Sequence, residues 1–125
     1  MSASLDMPRV QRPHLSESSL SRLRDLLLSE LQVEHAQRDS HAAAATLLRD
    51  ETDPDSILEF ELAEAGAARA REAIADIEDA LRRMDVGIYG CCEVCGAPLP
   101  FERLEAVPAA RRCVACPGRG AGLLR

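Results

Sequence analysis

Tryptophan and lysine are absent from the 125-residue chain, which has one tyrosine and two phenylalanines. So thin an aromatic content leaves no stacking platform for single-stranded nucleic acid and few large side chains for a core. Surplus positive charge is lacking as well. The 21 Asp and Glu residues face 15 Arg, a net charge of −6, which argues against nonspecific binding to a phosphate backbone. No stretch approaches the ~20 apolar residues of a membrane span, and residues 1–17, with Asp6, Arg9 and Arg12, hold no apolar run of the secretory kind. These absences predict a cytoplasmic protein with no membrane partner and no sequence-specific DNA binding. A catalytic reading lacks material too. His14, His35 and His41 fall in the leader or along one predicted helix with no nucleophile constellation around them, so no enzyme activity is expected.

The apolar content, 46% of the chain, is largely Ala and Leu, which favours helix over sheet. The sequence therefore predicts a mainly α fold, a long antiparallel helical hairpin with a small four-cysteine base. Residues 1–16, with Pro8 and Pro13 and no apolar period, are read as a flexible leader ending at a possible N-cap, Ser16. From Ser18 to Arg49 neither Pro nor Gly occurs, and Leu20, Leu23, Leu27 and Leu31 recur at helical spacing. Around Pro54 the helix must stop, with Asp53 and Asp55 placed to cap the next one. The second helix is expected from about Ser56 to Asp85. Its seam is Phe60, Ala63, Ala67, Ala70, Ile74, Ile77, Leu81 and Met84, with steps of three and four, the pattern of a coiled coil. Small residues at 63, 67 and 70 permit close approach with little stabilisation per layer. Gly66 costs about 1 kcal/mol of helix propensity relative to Ala, so the half nearer the turn is expected to be the weaker.

The hairpin is thus expected over residues 17–87, with an acidic tip at 50–56. Two helices of ~30 residues at 1.5 Å rise predict a rod about 45 Å long. Residues 51–85 carry 11 acidic against 4 basic residues, and residues 86–125 carry 3 against 5. A slender arm with an acidic end suits insertion into a groove or channel of a larger assembly.

All five cysteines lie within residues 91–116. Cys92-x2-Cys95, a 17-residue spacer and Cys113-x2-Cys116 supply four thiolates, enough for one tetrahedral zinc with no open position for water or substrate. In a reducing compartment this spacing reads as metal ligation before disulfides. Such an ion folds and orients a base and does no Lewis-acid work. Iron also accepts four thiolates, but zinc needs no electron-transfer partner. The spare Cys91 leaves a second register, Cys91-x3-Cys95, conceivable; the shorter spacing is preferred because it matches the second pair. Gly96 suits a knuckle that needs positive φ. The zinc finger is placed at residues 88–116, followed by a flexible Gly-rich tail at 117–125. Arg103, Arg111, Arg112, Arg119 and Arg125 surround or follow it, and Arg111 and Arg112 are candidate contacts for an acidic protein surface.

Tyr89-Gly90-x-Cys92-x-x-Cys95-Gly96, followed by Pro98, Arg103-Leu104-Glu105-Ala106, Pro108 and Cys113-x-x-Cys116, closely resembles the C-terminal zinc-finger signature of the DksA/TraR family. The resemblance is sharp over residues 88–116 and architectural over the hairpin. It implies a non-catalytic regulator of transcription initiation that binds bacterial RNA polymerase and directs its coiled-coil tip into the secondary channel. By the same resemblance, Asp50, Glu51, Asp53 and Asp55 stand at the arm tip, as candidate contacts for basic groups or for the magnesium-centred active region, since hard cations prefer oxygen ligands. The tip departs from the family's Asp-x-x-Asp-x-Ala pattern: here Asp50-x-x-Asp53 continues into Pro54-Asp55. The competing reading is a structural or protein-interaction zinc module that does not enter the polymerase. The chain is expected to act as a monomer, with a homodimer through the Ala-rich seam as the alternative.

Overall fold

A computed structural model describes residues 14–116. Most of the expected leader and all of the expected tail, with Arg119 and Arg125, lie outside the described residues. Among the described residues three helices follow one another: α1 over Glu17–Leu48, α2 over Pro54–Asp85 and a short α3 over Phe101–Ala106. An isolated antiparallel bridge joins Cys91 to Pro98.

The helix ends follow from local chemistry. Ser16 caps α1, its Oγ accepting from the Ser19 amide at 3.0 Å. At the other end the chain turns through residues 49–53, where the Arg49 and Glu51 amides donate back to Thr46 and Leu48. Pro54 does not merely stop a helix. It opens α2, two residues earlier than the sequence reading placed it, because a proline at the first helical position lacks only an N–H that would have had no intrahelical partner. Asp53 is the cap: its carboxylate accepts from the Ser56 amide at 3.0 Å. Hydrogen bonding to Ser56 holds the Asp53 carboxyl below the usual carboxylate range. This contribution is present above the unfolded pKa and is lost as pH falls through the lowered one. The α2 terminus closes with Ile88 donating to Arg83 O and Gly87 to Met84 O, a paired arrangement that satisfies the last carbonyls.

The described residues form two compact units. The base unit comprises residues up to Leu27 and from Asp79 on. Its core is aliphatic: Leu23, Leu27, Leu99 and Leu104 are the largest fully buried side chains, joined by Leu15, Ala80 and Tyr89. Near the end of α2, Ala80 is buried where the seam read from the sequence had Leu81, which is half-buried. Ordered structure also begins before Ser16. Leu15 is buried, and His14 reaches the Leu99 carbonyl with Nε2 at 2.8 Å. Exposed ion pairs, Arg22 with Glu105 at 2.7 Å and Arg24 with Asp85 at 3.1 Å, add little to stability.

The hairpin unit, residues 28–78, is built differently. Its buried positions are Ala45, Ala63, Gly66, Ala67, Ala70, Ile74 and Ile77. The structure supplies a reason for Gly66 that propensity alone did not give. A Cβ built there would lie 2.7–2.8 Å from atoms of the His41 imidazole, so the ring rests on bare backbone where any side chain would displace it. Glu34, Gln37 and Arg69 line the same depression. Gly66→Ala alone should therefore be close to neutral, its helix-propensity gain offset by eviction of the ring. In a His41→Ala background the same change should stabilise by about 1 kcal/mol. Thermal unfolding of the four-member mutant cycle checks this; additive effects would show that the ring and the glycine are not coupled.

Candidate metal centre

The zinc-binding segment begins where α2 ends. Tyr89 is buried, and its hydroxyl donates to the Pro108 carbonyl at 2.8 Å. Arg83, in the last turn of α2, bonds Asp79 through Nε at 2.9 Å and sets its guanidinium carbon 6.0 Å from the Tyr89 ring centroid. Burial alone would raise the Asp79 carboxyl, but the hydrogen bond and charge of Arg83 outweigh it and hold the group below its usual range. Leu99 N–H donates to Gly90 O at 2.7 Å and Cys92 N–H to Ala97 O at 2.8 Å, closing the first knuckle as a short hairpin. Gly96 sits in it at φ 80°, as its place after Cys95 predicted. In the second knuckle Cys116 N–H donates to Cys113 O at 3.1 Å.

Two links tie the knuckles together. Glu93 N–H donates to Arg111 O at 2.8 Å, and the Glu93 carboxylate pairs with Arg112 at 2.8 Å. Arg111 and Arg112, read from sequence as outward contacts, thus also hold the finger's own two halves in register.

The outcome is a four-sulfur cluster. The Sγ atoms of Cys92, Cys95, Cys113 and Cys116 all lie within 4.8 Å of one another. The Cys95 to Cys113 separation is 3.7 Å, matching the edge of about 3.8 Å expected of a tetrahedron with 2.3 Å zinc–sulfur bonds. The donor set and spacing fit one structural zinc ion per chain. Cys91 is outside the cluster and half-buried, so the alternative register falls away. Its thiol is pushed up by burial and by the neighbouring Cys92.

The protein prepares one sulfur for the charge it must carry. Backbone N–H groups, that of Cys95 first and those of Cys113 and Val94 after it, bring the Cys92 thiol down to about 6. Cys116 is pushed up to about 12, chiefly by its hydrogen bond with Cys113 and then by that with Cys92. Zinc binds thiolates, so it must displace the protons these sulfurs carry. Zinc uptake near neutral pH should release more than one proton per ion, and affinity should fall as pH falls. Calorimetry in buffers of different ionisation enthalpy counts those protons; release of one or none would contradict ligation by four thiolates.

Residues 87–119 match the prokaryotic dksA/traR C4-type zinc finger. The chain is 31% identical over 116 residues to the RNA polymerase-binding transcription factor DksA of Caulobacter vibrioides, covering 79% of that protein. The chain belongs to the DksA/TraR family. It is also 55% identical over 40 residues to the uncharacterized protein YteA of Bacillus subtilis, where the match spans 17% of that longer protein. The fold of Pseudomonas aeruginosa DksA2 superposes with a TM-score of 0.73, covering 85% of this chain and 88% of that one at 24% identity.

Among the remaining sequence candidates, Asp50, Glu51, Asp53 and Asp55 are all exposed at the turn and first residues of α2. Three structural residues escaped sequence reasoning. His14 and Leu15 anchor the chain onto the base, and Arg83 joins α2 to Tyr89. A signal existed for Leu15, an apolar residue just before the Ser16 cap, but none for Arg83 beyond its place in a helix-ending pair of arginines.

Proposed function

We propose that this chain is a non-catalytic regulator of transcription initiation that binds bacterial RNA polymerase and directs its helical tip into the secondary channel. The observation that carries the reading is the joint match to a named polymerase-binding factor, which spans both the helical region and an intact four-cysteine base. The zinc base would fix the ends of α1 and α2, leaving the turn between them to make the contact. Asp50, Glu51, Asp53 and Asp55 are the proposed contacts there, with Arg111 and Arg112 as a second contact at the base. Action as a monomer in the cytoplasm belongs to the same proposal.

A second reading has one observation in its favour. Pro54-Asp55 stands where active family members resemble one another in a different tip pattern, so the fold could serve as an interaction module outside the channel. Equilibrium binding of the zinc-loaded protein to purified cognate RNA polymerase separates the two. The comparison variant carries Asp50→Asn, Glu51→Gln, Asp53→Asn and Asp55→Asn; asparagine at 53 preserves the cap. Binding at micromolar or tighter affinity, weakened at least about tenfold by the neutral tip, is the expected result. Absence of binding by the intact protein would move the function to another partner.

A further inference from the structure

The hairpin unit places its apolar residues in an order that folding alone does not explain. Its buried seam near the turn is made of Ala45, Ala63, Ala67 and Ala70, while larger aliphatic side chains stand outside. Leu47 is 81% exposed, Leu58 56% and Leu62 62%, with Ile57 at 44%. A sequence under pressure only to stabilise this hairpin would put leucine inside and alanine outside, since burial of the larger side chain stabilises more. Leu58 and Leu62 are one turn apart and share a face of α2. With His41 set against Gly66, the antiparallel register brings Leu47 level with Phe60, between the turns that carry those two leucines. Folding leaves these side chains in water.

The charge around them selects among possible occupants. Residues 28–78 carry 13 acidic against 4 basic residues, so a second copy would bring two strongly negative surfaces together. The complementary surface is basic. We propose that the tip is a composite contact in which Leu47, Leu58 and Leu62 hold the partner and the surrounding carboxylates steer it, so that the surface it fits is a basic protein groove with an apolar lining. This inference rests on the polymerase-binding reading and adds to it which side chains set the lifetime of the complex. Apolar contacts desolvated on binding act mainly on dissociation and depend weakly on salt, whereas exposed charges act on association and depend on it strongly.

The test is kinetic, with the full zinc-loaded chain binding immobilised cognate RNA polymerase at low and at physiological salt. Three proteins accompany the wild type: Leu58→Ser with Leu62→Ser, Leu47→Ser alone, and Leu28→Ser as a control at another exposed leucine. Far-UV circular dichroism and Tyr89 fluorescence confirm that each is folded; the changed side chains are exposed, so unfolding is not expected. The double variant should dissociate about 100-fold faster at both salt concentrations with its association rate little changed, Leu47→Ser should dissociate about tenfold faster, and the control should match wild type. Leucine variants that bind like wild type, while neutral-tip variants do not, would overturn the inference and leave the polymerase reading standing. Equal loss in the control would overturn it as well. A wild type that does not bind at either salt removes both. A wild-type dimer that the leucine changes convert to monomer would show that a second copy covers this face, and would overturn the basic-groove assignment.

Discussion

Cys113→Ser should abolish stoichiometric zinc binding and unfold the base. Three sulfurs leave a tetrahedral ion with an open position, and the lost thiolate is also the one whose sulfur lies 3.7 Å from that of Cys95. Structural zinc in isolated fingers is worth about 10–16 kcal/mol of apparent binding free energy, and because the site is assembled only on folding, that energy is folding energy. The consequence here is local and readable. Tyr89 is the only tyrosine and tryptophan is absent, so intrinsic fluorescence reports on the base alone. In the intact protein Tyr89 is buried and donates to Pro108, a carbonyl in the segment that leads to Cys113. Metal analysis should show the zinc content fall from one per chain to a small fraction, and Tyr89 emission should take on the character of solvent-exposed tyrosine. Cys91→Ser should change neither, because that thiol lies outside the cluster. Full zinc stoichiometry in Cys113→Ser would refute the four-sulfur site.

The second large effect is expected at the aliphatic core of the same unit. Leu23 and Leu27 are fully buried at 0% exposure, as are Leu99 and Leu104, and truncation of such a side chain removes its transfer energy and leaves a cavity. Leu23→Ala should cost about 2–5 kcal/mol. In the hairpin unit the equivalent experiment has far less to remove: Ala67→Gly forfeits a methyl and about 1 kcal/mol of helix propensity. Chemical denaturation of the zinc-loaded protein, followed by Tyr89 fluorescence for the base and far-UV circular dichroism for the helices, measures both. A Leu23→Ala variant no less stable than Ala67→Gly would contradict the assignment of the principal core to the base.

This asymmetry was partly legible in the sequence. The leucine spacing of α1 and the Ala-rich seam of α2 both follow the helical period, and a period is a property of one element that sequence displays directly. The knuckles were legible for the same reason. Cys-x2-Cys is a local geometry, and the Gly96 conformation and the Ser16 and Asp53 caps are decided by neighbours within three residues. What escaped depends on residues far apart in the chain. Nothing near Gly66 announces that His41 lies against it, so the glycine read as a cost when it is a seat. The six residues of α3 are too few to show a period, and its start at Pro100 uses no side-chain cap. The docking of His14 onto Leu99 spans 85 positions. Ala80 is buried and Leu81 half-buried, a difference that helical spacing alone does not decide.

The two units give the proposed activity its division of labour. In that proposal the zinc base holds the helix ends in place, and the acidic turn with its unburied leucines makes the contact. The measurement that tests this most directly is site-specific photo-cross-linking to RNA polymerase, with the photoreactive residue at Glu51 in the tip and, in a second protein, at Glu102 in the base. The position 51 adduct should map to residues lining the polymerase secondary channel and the position 102 adduct to the outer surface. Adducts from position 51 confined to the outer surface would contradict the proposal.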